Sequence, residues 1–125
     1  MTDDAAFVRE LAAVVPPLQG LLAQHLAENE ELLPHVFMGD VSRFVIEQYN
    51  EHLEGSPGSL AALERLFSTL ERGAAEGSED VQEMITVSFL ENVAEEMTLS
   101  PALQSFLGPS LKRELRGVLD GFGYP

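Results

Sequence analysis

The chain has 125 residues, 21 of them acidic against 7 basic for a formal net charge of -14, with 45% hydrophobic residues, 10 Gly, 7 Pro and no Cys. Disorder needs high charge together with low hydrophobicity, and only the first condition holds, so a single globular domain over residues 1–125 is expected. The missing cysteines exclude a disulfide scaffold, thiolate chemistry and Cys-ligated zinc, and the acidic balance argues against direct contact with nucleic acid or an anionic membrane and in favour of a basic partner.

Surface scaling for folded chains leaves about 6,600 Å² exposed out of about 20,000 Å² when extended, enough to build a real core. Thr2-Asp3-Asp4 is acidic, with no basic stretch leading into an apolar one, so no secretory signal is read. The uncharged run from Leu11 to Ala27 contains Pro16-Pro17, Gln19, Gly20, Gln24 and His25, too polar and broken for a spanning helix. A soluble, cytoplasmic protein is expected.

Apolar residues recur at helical spacing along nearly the whole chain, and no segment alternates as a half-buried strand would, so the fold class is all-α. Phe7, Val8, Leu11, Val14 and Val15 form the first stripe, closed by Pro16-Pro17, which also suit the first turn of a second helix carrying Leu18, Leu21, Leu22, His25 and Leu26. Asn29 to Pro34 reads as a charged break, and Val36-Phe37-Met38 as an apolar bridge. Asp40 after Gly39 is then the expected N-cap of a third helix running to about Glu54, with Gly39 letting the backbone turn or a partner approach.

Gly55-Ser56-Pro57-Gly58-Ser59 is the clearest loop, with Ser56 or Ser59 as cap of a helix bearing Leu60, Leu63, Leu66, Phe67 and Leu70 that ends between Gly73 and Gly77. Ser78 caps a long fifth helix to about Met97, helped by Glu79 and Asp80 in its first turn. Ser100-Pro101 begins a short helix with Leu103, Phe106 and Leu107, and Gly108-Pro109 begins the last, which holds Lys112, Arg113 and Arg116. A compact bundle of six or seven short helices, with stacked helical hairpins as one arrangement, is predicted.

Charge is concentrated in two stretches. Residues 28–54 carry seven acids and one base, and residues 76–96 carry seven acids and no base, which places 13 of the 14 net negative charges there. At about 100° per residue, Asp40, Glu47, Glu51 and Glu54 fall within one arc of the third helix, opposite Val41, Val45, Tyr49, His52 and Leu53. On the fifth helix Asp80, Glu83, Glu91 and Glu95 share a side, but Met84, Val87, Leu90 and Ala94 lie among them while Val81, Ile85, Phe89 and Val93 make the other face. A helix apolar nearly all round is a buried central helix; the alternative is an apolar strip rimmed by acid, as on protein-binding patches. Asn92, directed toward the core arc, is expected to hydrogen-bond backbone at a neighbouring loop.

Catalytic chemistry finds little support. No HExxH or di-iron spacing surrounds His25, His35 or His52, and no EF-hand, phosphate-binding loop or dinucleotide fingerprint occurs. His25 with Glu28 is an i, i+3 pair of the sort that touches metals, and His52 is read as a core histidine. The only lysine, Lys112, sits among arginines, and no serine lies in a nucleophile elbow. No catalytic residue, metal or cofactor is assigned, and an enzyme is not expected. The eight carboxylates Asp40, Glu47, Glu51, Glu54, Asp80, Glu83, Glu91 and Glu95 are the candidate partner-binding residues. Two other readings remain open, an adaptor holding a partner helix on the Met84, Val87, Leu90 strip and an acidic nucleic-acid mimic.

The stretch Leu33-Pro34-His35-Val36-Phe37-Met38-Gly39-Asp40-Val41, together with Val87-Ser88-Phe89-Leu90-Glu91-Asn92 and Leu107-Gly108-Pro109, resembles a family of small acidic bacterial proteins associated with Rhs-type polymorphic toxins. The resemblance spans roughly residues 30–115 and implies an immunity role, binding and neutralising a cognate toxin domain. It marks His35, Gly39, Asp40, Glu91 and Asn92 as family-like positions and brings no catalytic residues. An acidic inhibitor of a basic toxin agrees with the charge map, since complementary charge raises the association rate.

Overall fold

Each helix begins where the sequence supplies a reason for it. In the computed structural model, which describes residues 2–123, Thr2 Oγ1 accepts the Ala5 N–H at 3.4 Å and opens α1, Asp3–Val14. Pro17 and Pro34 stand at the first positions of α2, Pro17–Asn29, and α3, Pro34–Leu53, where a missing N–H costs nothing. Gly58, with φ of 84°, precedes α4, Ser59–Glu76. Ser78 and Ser100 cap α5 and α6: their hydroxyls accept the N–H groups of Val81 at 3.3 Å and Leu103 at 3.0 Å. α5 covers residues 79–99 in three continuous pieces, Glu79–Glu83, a π-helical Met84–Leu90 and Glu91–Leu99. α6 is Pro101–Gln104 and α7 is Pro109–Gly121. Seven helices and no strand are thus present among the described residues.

α5 is the central element. Its π segment lies against α3, its first turns against α1 and α4, and its later part against α7. Met84, Ile85, Phe89, Leu90, Val93, Ala94 and Met97 are all buried, so the apolar residues around this helix are satisfied on several sides at once. Phe67 of α4 meets Phe89 edge-on at 6.0 Å and stacks on Phe106 at 5.6 Å, tying α4, α5 and the α6–α7 link into one core. The accessible surface is 6626 Å², the value the scaling for a folded chain of this size leads to. No helix among the described residues is long and apolar enough to cross a membrane.

Several expectations are corrected. α3 starts at Pro34, so Val36-Phe37-Met38 is helical, Gly39 makes no turn, and Asp40 lies in the second turn instead of capping the helix. The reason is that Pro34 is preorganised for a first turn, and one interior glycine costs a helix only about 1 kcal/mol. Neither Ser56 nor Ser59 caps α4, because Gly58 takes the left-handed conformation there. α4 ends at Glu76, inside the expected stretch from Gly73 to Gly77, and Gly73 itself is helical and buried: a Cβ on it would lie 2.6 Å from the Phe7 ring and 2.9 Å from Ile85 Cδ1, so the residue is a contact point between α1, α4 and α5. The core histidine is His25, 2% exposed, and not the half-buried His52. The Met84, Val87, Leu90 strip is not a surface, since Met84 and Leu90 are fully buried and Val87 alone among the three is exposed.

Candidate functional site at the seam of α3 and α5

The π segment brings the motif residues together. A π turn pairs N–H groups with carbonyls five residues back, an arrangement uncommon enough that it tends to mark functional positions. Ser88, inside that segment and buried, has its Oγ 2.6 Å from His35 Nδ1 of α3. Its carbonyl accepts the Asn92 amide at 2.8 Å. Ser42 of α3 donates to its own Met38 carbonyl at 3.0 Å, and its hydroxyl lies 3.4 Å from the Ser88 carbonyl oxygen and 3.5 Å from that of Phe89. His35 and Asn92, far apart in sequence, therefore converge on one serine. Asn92 is exposed and bonds the backbone of its own helix, not of a loop and not from the core arc, because the π turn presents a carbonyl within reach one turn back.

Beside this cluster runs a groove of about 370 Å³ between the two helices, lined by Gly39, Ser42, Arg43, Ile46 and Glu47 on one wall and Asn92 and Glu96 on the other. A Cβ on Gly39 would meet nothing nearer than Arg43 Nη1 at 4.0 Å, so this glycine keeps the groove open without being needed for packing. Arg43 is paired with Asp40 on the rim, an exposed ion pair of the kind that contributes at most about 1 kcal/mol. Glu96 Oε2 is buried and has no hydrogen-bond partner among the described residues. The outward groups of the groove are thus the exposed Glu47 carboxylate, the Asn92 amide and an arginine already engaged, and the carboxylate and the amide oxygen are suited to accepting hydrogen bonds from an ammonium or guanidinium group.

The eight candidate carboxylates do not form one patch. Glu47 lines the α3–α5 groove with Asn92 and Glu96, and Asp40 is half-buried against Arg43. Glu51 is exposed and accepts from Gln48 Nε2 at 3.1 Å, while Glu54 is exposed at the end of α3. Glu83 faces a different depression, shared with Glu79 and Glu114 of α7, and half-buried Glu91 lines another with Thr86 and the same Glu114. Asp80 lies in the exposed first turn of α5 and Glu95 is exposed near its end. Two acidic regions account for six of the eight, Asp40, Glu47, Glu51 and Glu54 along α3 and Glu83 and Glu91 where α5 meets α7.

Glu71 is the residue that the sequence did not single out. Its two carboxylate oxygens accept the N–H groups of Ser110 and Leu111, each at 2.9 Å, and so cap α7 from forty residues away. Gly108 makes room for it: a Cβ there would lie 2.5 Å from Glu71 Cδ. A helix opened by Gly-Pro with no Ser, Thr, Asp or Asn at its cap needs a remote acceptor, and that was the available signal.

His25 has a structural role. Its Nε2 accepts the Leu33 N–H at 3.0 Å, its carbonyl accepts the Asn29 amide at 2.9 Å, and its ring meets Phe37 edge-on at 5.6 Å, which fixes the turn from α2 into α3. Its neighbour Glu28 accepts instead from Gln24 at 3.0 Å. Among the described residues no group of three His, Cys, Asp or Glu side chains is placed to hold a metal ion.

Residues 8–122 match the family described as Domain of unknown function (DUF7674), and the chain belongs to that family. No curated protein and no solved structure matches the chain.

Proposed function

We propose that this DUF7674 protein is a binding module for a basic protein partner, and that the partner is a toxin domain which it neutralises by occlusion. The observation that supports the reading best is the outer face of α3. Glu47, Glu51 and Glu54 are exposed there, and none of them takes part in an ion pair among the described residues, whereas the one arginine of that helix is held by Asp40. Elsewhere Arg72 pairs with Glu10 and Arg116 with Asp120, so part of a small basic complement is already turned onto the chain's own acids. The carboxylates left over face water on a protein of net charge -14.

A carboxylate surface of this kind steers a basic partner and orders its approach, with an effect that fades beyond about 8 Å at physiological ionic strength. Blocking a toxin requires no reaction from the blocking chain, which agrees with a surface of hydrogen-bond acceptors. The immunity role itself rests on the resemblance of residues 33–41, 87–92 and 107–109 to proteins associated with Rhs-type toxins.

Co-expression with the product of the gene adjacent to its own tests the proposal. Restored growth, together with direct binding that weakens as salt is raised, is the expected result. Adjacent gene products that neither bind the purified chain nor lose toxicity in its presence would overturn it.

A further inference from the structure

The side of α3 turned away from its acidic stripe carries a different surface. Tyr49, His52 and Leu53 open there onto a groove of about 580 Å³ whose other walls come from α4 and the α6–α7 link. Leu53 and Leu60, both lining it, are 65% and 44% exposed. Large aliphatic side chains left in water at the mouth of one depression mark a place where another molecule can cover them.

The floor of the groove is preformed. Phe67, 1% exposed, stacks on Phe106 with centroids 5.6 Å apart and planes 19° from parallel. The Tyr49 hydroxyl lies 3.0 Å from Ser100 Oγ, which also caps α6, so the wall from α3 is fixed to the wall from α6. A pocket whose walls are held in this way loses little conformational freedom when it is filled.

The charges around it have one sign. The lining contains Glu64 and Glu71 and no lysine or arginine. Glu71 is engaged with the start of α7, while Glu64 is exposed and enters no ion pair among the described residues. An apolar centre with an acidic rim has the anatomy of a protein-binding patch and selects a partner by charge as well as by shape.

We infer that this groove between α3, α4 and α6 docks a segment of the protein partner in which large apolar side chains are bracketed by lysines or arginines. The apolar side chains fill the space over Phe67 and Phe106 between Leu53 and Leu60, and the flanking cations meet the rim at Glu64. The inference goes beyond the reading above by giving the partner an anchor, and it rests on that reading only for the sign of the partner's charge.

The test uses the full chain and three synthetic peptides: one with leucines bracketed by lysines, the same peptide with lysines replaced by glutamates, and the same peptide with leucines replaced by serines. Binding is followed by amide chemical shifts and by affinity. The leucine–lysine peptide is expected to shift the amides of Tyr49, Leu53, Leu60 and Phe106, and Leu60→Ser to weaken it about tenfold, the loss typical of a truncated anchor. Leu53→Ser, at a still more exposed position, provides a second variant whose folding is safe, and neither change alters charge.

If the serine–lysine peptide binds as tightly, with shifts spread along Glu47, Glu51 and Glu54, the groove is overturned as the docking site while the preference for basic partners stands. If the leucine–glutamate peptide binds the groove as tightly, the preference for a basic partner is itself overturned. Absence of binding by the leucine–lysine peptide overturns the groove.

Discussion

Glu71 and Glu51 sit on α4 and α3, two helices packed against each other, and the same carboxylate does opposite things in the two places. At the junction of α4 and α7, Glu71 is half-buried and gives each oxygen to a backbone N–H at the start of a helix, where the dipole also favours negative charge. On the outer face of α3, Glu51 is exposed, four residues from Glu47, and among the described residues its carboxylate accepts one hydrogen bond, from the Gln48 side chain. One acid holds the fold together and the other is left available. The difference lies in the donors supplied by distant chain segments, which is why counting acids along the sequence could not separate them.

The largest expected effect comes from removing the structural acid. Glu71→Ala leaves the Ser110 and Leu111 N–H groups without their acceptors, and hydrogen bonds to a charged group are each worth about 1.5–3 kcal/mol. A loss of about 3 kcal/mol in unfolding free energy is expected from urea denaturation. A change below about 0.5 kcal/mol, the level of an ordinary surface substitution, would erase the distinction between the two glutamates.

Gly108→Ala attacks the same junction from the other side. The added Cβ would lie 2.5 Å from Glu71 Cδ, so the carboxylate or the start of α7 must move, at a cost of about 1–3 kcal/mol. The two substitutions touch the same contact and should not add. In the Glu71→Ala background the penalty of Gly108→Ala is expected to shrink, because the three atoms nearest the added Cβ, Glu71 Cδ, Cγ and Oε1, are gone. Full additivity in a double-mutant cycle would mean that the glycine serves some other purpose.

A smaller effect is expected at the seam. Asn92→Ala removes the donor to the Ser88 carbonyl, and an ordinary hydrogen bond contributes about 1 kcal/mol. Faster amide exchange confined to residues 84–92 is the expected signature, since the substitution loosens the π segment and not the bundle. Unchanged exchange there would show that Ser42 and His35 hold the segment without it.

Much of the fold was legible because local chemistry decided it. Ser78, Ser100, Pro101 and Pro109 announce their helices through caps and fixed φ, and α5 reads as buried because it is apolar nearly all round. What could not be read depends on partners far away in sequence. Pro34 and Asp40 are both acceptable starts for α3, and the burial of Phe37 and Met38 in the core adds to the preorganised first turn at Pro34 in selecting the earlier one. His25 and His52 both lie on apolar stripes, but only His25 meets a chain reversal that offers it the Leu33 N–H. The π segment leaves no trace in periodicity, because Met84–Leu90 suits a buried helix of either pitch. At the candidate site His35, Gly39 and Asn92 were visible as motif positions, while Ser42, Ser88 and Glu96 acquire meaning only once α3 and α5 are side by side.

The smallest expected effect separates the two acids most sharply, because it has the opposite sign. Glu51→Gln removes one member of the Glu47–Glu51 like-charge pair, whose repulsion at i, i+4 spacing costs about 0.2–0.5 kcal/mol. The new amide oxygen can still accept from Gln48, so the chain should become more stable by about that amount at low salt. The gain should disappear at high salt, where repulsion between exposed charges is screened. Glu71→Gln should instead destabilise at both salt concentrations, since it withdraws a charged acceptor from a half-buried helix start. The same Glu51→Gln chain should bind a basic partner more weakly and with a flatter salt dependence, so that stability and binding move in opposite directions. A residue that loses binding as it gains stability has been kept for contact, and one that loses only stability has been kept for the fold. If Glu51→Gln instead lowers stability as Glu71→Gln does, the outer face of α3 is structural and the proposed partner must be sought at another surface.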